Sequence, residues 1–123
     1  MKIQESAENY LEMILILTHK LGQVRSIDVA KELGFSKPSV SIAMKNLREN
    51  GYVEVNEVGY LILTDKGSII ANKVYEKHTL VMTLLMHIGV TEEVARIDAC
   101  KIEHDLSLET VEKLKEFIAK ISN

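Results

Sequence analysis

The chain has 123 residues, 46% hydrophobic and 27% charged, with a formal net charge of −3. That length allows one globular domain or two small lobes sharing a helix, and the composition excludes a disordered chain. The net charge argues against an indiscriminate nucleic-acid binder, and the single cysteine excludes an internal disulfide and fits a reducing cytoplasm.

Residues 1–9 carry Lys2, Glu5 and Glu8 without an apolar run, so no signal peptide is expected. Ile14-Leu15-Ile16-Leu17 is too short to span a bilayer, and no membrane partner is expected. Charge is unevenly placed. From Lys20 to Arg48 six basic residues (Lys20, Arg25, Lys31, Lys37, Lys45, Arg48) face two acids (Asp28, Glu32). That is what an electrostatic footprint looks like, although a solvated face gives the same count.

Ser6 is placed to cap a first helix over 7–21, with Gly22 as its stop. Tyr10, Ile14, Leu17 and Leu21 form its apolar stripe. Asn9 and Glu12 share a face off that stripe, where Glu12 alone reads as a surface carboxylate. Ser26 is placed to cap a short helix over 27–33, ended by Gly34. Ser36 is placed to cap another over 37–50, with Pro38 in its first turn. Two short helices joined by Gly34-Phe35-Ser36 fit a helix-turn-helix, the second being the recognition helix. Val40, Met44 and Leu47 should pack inward. Ser36, Lys37, Pro38, Ser39, Ser41, Ile42, Ala43 and Asn46 are candidate groove contacts, with methyls for thymine, and Lys45 and Arg48 suit phosphates. A helical hairpin with a solvated face is the plain alternative.

Residues 52–55 and 60–63 read as two strands around Asn56-Glu57-Val58-Gly59. Helix, helix-turn-helix and hairpin is the winged-helix order. Residues 52–63 contain no Lys or Arg, so the wing should add little phosphate affinity. Thr64 is placed to cap a long helix to about Ile88, with Ile70, Val74, Val81 and Leu85 inward and His78 in the same stripe. Thr91 is placed to cap a helix to about Asp105, and Ser107 the last, where Val111, Leu114, Ile118 and Ile121 form a seam that needs a partner. The expected fold is mainly α: a winged helix-turn-helix domain over 1–64, then a helical metal-binding and dimerisation domain over 65–123.

Cys100-Lys101-Ile102-Glu103-His104 places a thiol, a carboxylate and an imidazole at i, i+3 and i+4 on one helical face. Each offers a lone pair when deprotonated. The fragment is unspecific alone. Asn9, Glu12 and His78 could complete a mixed nitrogen, oxygen and sulfur sphere of the kind that first-row divalent transition metals take. A histidine placed like His78 is more often a hydrogen-bonded core residue than a ligand. No catalytic constellation stands out: a small metallohydrolase using Glu12 or Glu103 as base finds no oxyanion-type glycine loop in this sequence.

The chain resembles the diphtheria-toxin-repressor family of iron- and manganese-dependent transcriptional repressors. The residues that carry the resemblance are Glu8-Asn9-Tyr10-Leu11, Ser36-Lys37-Pro38-Ser39-Val40-Ser41, the run Gly59 to Gly67, Tyr75-Glu76-Lys77-His78 and the run Ala99 to Ser107. The resemblance implies a cytoplasmic homodimer that binds a divalent metal and then operator DNA, repressing metal-homeostasis genes. It implies the short, manganese-type architecture, without the SH3-like domain of longer members. Glu12, His78, Glu103 and His104 match positions used by the manganese-type site, whereas Cys100 matches the iron type. Asn9 falls where iron-type members place Met and manganese-type members Asp. Met82 and Arg96 stand where iron-type members place two ligands of a second site, and Ile42 replaces a polar residue usual on the recognition helix. Fe(II) is the favoured cofactor because of Cys100, and Mn(II) comes next. A metal-independent winged-helix regulator is the alternative.

Overall fold

The computed structural model describes residues 5–122, so Lys2 lies outside the described residues. Two compact units divide the chain, Met1–Asn72 and Lys73–Asn123.

In the first unit, α1 runs Glu5–Leu21, and Ser6 lies inside it rather than capping it. Tyr10, Leu11, Ile14, Leu15 and Leu17 are buried, whereas Leu21 is exposed, at the last turn before Gly22. Helix α2 spans Ser26–Leu33, and its N-cap is Arg25, not Ser26. Asp28 makes the difference: its carboxylate accepts the Arg25 N–H at 2.9 Å, the reciprocal half of a capping box. Gly34, at φ 72°, ends the helix. Helix α3 spans Lys37–Glu49 and is capped as expected, the Ser36 hydroxyl accepting the Ser39 N–H at 3.3 Å.

Strands β1 (Val53–Val55) and β2 (Leu61–Leu63) pair antiparallel, Glu54 opposite Ile62. The Asn56 side-chain oxygen accepts the N–H groups of Val58 and Tyr60 at 3.0 and 2.9 Å, which shapes the turn. Leu61 also donates its N–H to the Val24 carbonyl at 2.7 Å, so the approach to α2 borders the hairpin. The core of this unit joins α1, Val24, Val29, Val40, Met44, Leu47, Val53 and Leu61. The inward positions expected on α3 are the buried ones, because a 3.6-residue period decides which side of a helix meets its neighbours.

Helix α4 spans Asp65–His87, with Asp65–Asn72 in the first unit. Thr64 caps it, accepting the Gly67 N–H at 3.1 Å. In the second unit, α5 spans Glu92–Ile102 and then tightens into a 3₁₀ turn, Glu103–Asp105, short of the α-helix expected to Asp105. Thr91 occupies the N-cap position of α5 without a side-chain hydrogen bond to the helix. Helix α6 spans Leu108–Ile121, capped by Ser107, whose hydroxyl accepts the Thr110 N–H at 3.2 Å. Of its apolar seam only Val111 is buried, and Leu108 and Phe117 are exposed. Val94, Ile97 and Ile102 on α5 are exposed too.

Candidate functional site

Three side chains of the second unit converge. His78 comes from α4, Cys100 from α5, and Glu103 from the first position of the 3₁₀ turn. One donor atom from each lies within 4.8 Å of the other two. Cys100 and Glu103 stand three residues apart at the end of α5, where the Glu103 N–H still bonds to the Ala99 carbonyl, so their side chains share one helical face.

Glu103 is fully buried, with 0% exposure. Its Oε2 lies 2.9 Å from His78 Nδ1, and the Cys100 sulfur approaches the same nitrogen at 3.8 Å. The other carboxylate oxygen, Oε1, is buried and makes no hydrogen bond; His104 Nε2 lies 3.6 Å from it. A buried carboxylate must find positive charge or hydrogen-bond donors. Here His78 supplies the charge. The Cys100 sulfur and the Glu103 carboxylate hold its imidazole proton, raising the pKa from 6.5 to about 10 against the opposing pull of burial.

The metal-free protein therefore has a pH signature. The folded-state pKa of His78 is raised, so its stabilising contribution is complete below about 6.5 and is lost as pH rises through about 10. Thermal melts with chelator should show stability falling across that window, and His78→Gln should flatten the fall. An equal decline in the variant would show that other groups cause it.

The same residues fit a divalent metal. An imidazole, a thiol and a buried carboxylate with one oxygen lacking a hydrogen bond form a donor set for a borderline first-row ion. His104 is buried beside Glu103. Glu12 and Asn9 belong to α1 in the first unit. Glu12 is 5% exposed, which corrects the reading of it as a solvated carboxylate, and Asn9 is half-buried.

The residues from Ser36 to Arg48 named as groove contacts are exposed except Ala43, which is half-buried and packs against the core. Ile42 is 64% exposed, an unusual place for so large an apolar side chain. The Ser36 hydroxyl donates to Ser39 Oγ at 2.9 Å, so both serines serve the cap as well as the surface. Ser41, Lys45 and Arg48 line a groove shared with Val53, Glu54 and Val55 of β1. Sequence reasoning counted Arg25 only within the basic segment and gave it no place; its guanidinium lies 4.7 Å from the centre of the Tyr60 ring. The local signal was its place just before α2, one residue after the segment that borders β2.

Comparison with known proteins places these units. Residues 2–61 match the DNA-binding domain of the iron-dependent repressors. Residues 64–123 match the metal-binding and dimerisation domain of the same family. The chain is 34% identical over 117 residues to the transcriptional regulator MntR of Escherichia coli O6:H1, covering 95% of this chain and 76% of that protein. It is also 34% identical over 123 residues to an HTH-type transcriptional regulator of Methanocaldococcus jannaschii, covering 98% of each. Among solved structures it resembles the manganese regulator SloR, with TM-score 0.80 and 30% identity over 97% of this chain. It spans 55% of the length of the SloR chain. Family matches over nearly every residue and relatives matched along most of their length lead to one conclusion: this chain belongs to the iron-dependent repressor family.

Proposed function

We propose that the chain represses transcription as a cytoplasmic homodimer that binds operator DNA when a divalent metal is bound, Fe(II) favoured and Mn(II) next. The observation that carries this reading is the His78, Cys100 and Glu103 cluster around a fully buried carboxylate. These three would hold the ion with His104. The ion supplies positive charge and a preferred coordination geometry. With the ion held there, Glu103 would not depend on the His78 proton, and His78 and Cys100 would bind as neutral imidazole and thiolate. Cys100 favours an ion softer than Mn²⁺, whereas the resemblance to a manganese regulator favours Mn(II).

On the DNA side, Lys45 and Arg48 would meet phosphates. Ser36, Lys37, Pro38, Ser39, Ser41, Ile42 and Asn46 would border the groove. Metal can act only through a preference for the DNA-competent state, so its effect on affinity equals its coupling free energy.

The test is DNA binding titrated with Mn²⁺, Fe²⁺, Co²⁺, Zn²⁺ and Ni²⁺ against a duplex enriched from a random pool by the metal-loaded protein. Affinity should rise on the order of 10-fold or more over the chelated protein. Equal affinity with metal and with chelator would refute the reading. A specific observation favours a metal-independent regulator as the second reading: the His78 and Glu103 pair already satisfies one carboxylate oxygen without metal.

A further inference from the structure

The hairpin of this winged helix carries no cation of its own. Residues 52–63 contain Glu54 and Glu57 but no Lys or Arg. Both glutamates are exposed. A wing of this charge beside a recognition helix repels the phosphates that the helix attracts. Yet β1 shares a groove with Ser41, Lys45 and Arg48, so a duplex seated on α3 comes within reach of the hairpin.

Arg25 changes this balance. It stands at the N-cap of α2, and its side chain crosses to the hairpin. Its guanidinium carbon lies 4.7 Å from the centre of the Tyr60 ring. A Cβ placed on Gly59 would be 3.4 Å from one of its terminal nitrogens, so the group sits at the turn end of the wing. Arg25 is exposed, and among the described residues no carboxylate pairs with its guanidinium; Asp28 takes the backbone N–H instead. A guanidinium laid on an aromatic ring uses its flat face. Its edge keeps the fork of N–H donors that fits a phosphate.

We propose that Arg25 is the phosphate-binding residue of the wing, supplied from α2 and held in position by Tyr60. The ligand is a backbone phosphate of the duplex flanking the recognition-helix contact. The wing thus gains its cation from outside the hairpin sequence, which its own composition conceals. Tyr60 serves as the seat that orients the fork, and the small Gly59 leaves it room.

This inference rests on the DNA-binding reading above, and one experiment separates the two. Affinity for the enriched duplex is measured from low to moderate salt with Mn²⁺ present, for wild type, Arg25→Gln and Arg25→Lys. Each phosphate contact contributes a slope of about 0.9 in log affinity against log salt. A dimer losing one contact per protomer should lose about two from that slope. Arg25→Lys keeps the charge and should keep most of the slope. If Arg25 only braces the hairpin, both variants weaken binding by one factor at every salt concentration, and the wild-type slope in Arg25→Gln overturns the proposal. Wild type that fails to bind under any metal condition overturns the DNA-binding reading as well. A thermal melt of Arg25→Gln matching wild type establishes that a lost slope is not lost folding.

Discussion

Glu103→Gln should abolish the metal response of DNA binding while leaving a folded protein. The substitution keeps the volume of the side chain and removes its charge. In the native protein the carboxylate is fully buried, with Oε2 on His78 and Oε1 lacking a hydrogen bond. An amide supplies one weak oxygen donor in place of an anionic ligand, and its NH₂ group offers nothing to a cation. The imidazole of His78 also loses one of the two groups that hold its proton. Coupling between an effector and DNA is typically 5- to 150-fold, and for the variant it should collapse to about 1. Stability should suffer less, by about 1–3 kcal/mol for a buried polar group left partly unsatisfied. Fluorescence anisotropy with Mn²⁺ and with chelator reads the coupling, and a melt in chelator reads the fold. A Gln variant that keeps full metal stimulation would remove Glu103 from the ligand set.

The largest stability effect should come from a position with no role in either site. Gly67 follows the cap of α4, and a Cβ there would stand 2.0 Å from the Tyr52 carbonyl oxygen. That carbonyl cannot simply swing away. It accepts the Thr64 N–H at 3.1 Å, and the Tyr52 N–H is bound to the Leu47 carbonyl at 2.9 Å. The Thr64 hydroxyl adds a bond to the Gly51 carbonyl at 2.6 Å, and the Lys66 ammonium lies 4.4 Å above the Tyr52 ring. The exit of α3, the start of the hairpin and the first turn of α4 therefore share one tight junction. Gly67→Ala should cost about 3 kcal/mol, at the upper end for overpacking, and lower the melting temperature by on the order of 10 °C. Gly67→Ala with a wild-type melt would show that the junction relaxes at little cost.

Much of the fold is legible in the sequence because its signals are local. The positions of Val40, Met44 and Leu47 announce the buried face of α3, and Ser36 announces its cap. Ser26 misleads because Asp28 reaches back to Arg25 and moves the cap one residue earlier, a preference that lies in a pair rather than in a single residue. Leu21 extends the apolar stripe of α1 but stands at the helix end, where it is 52% exposed. The candidate site is legible as a list of donors, because ligand chemistry belongs to residue types. Its geometry is not, because His78 stands 22 residues before Cys100 and 25 before Glu103, and no local spacing rule pairs them. The burial of Glu12 is set by neighbours that no spacing rule encodes. The sequence shows Arg25 only as part of a basic segment for the same reason, since its seat on Tyr60 joins residues that only the folded chain brings together.

The apolar side chains left open on α5 and α6, Leu108 and Phe117 foremost, bear on how such a repressor is dosed. A protein whose surface calls for a second copy makes its active form by mass action. Below the dissociation constant of the pair, halving the number of chains in a cell cuts the number of pairs about fourfold. Occupancy of an operator then depends on synthesis and turnover of the chain as steeply as on its effector. A cell that dilutes this protein during growth relaxes its own repression without any change in metal supply.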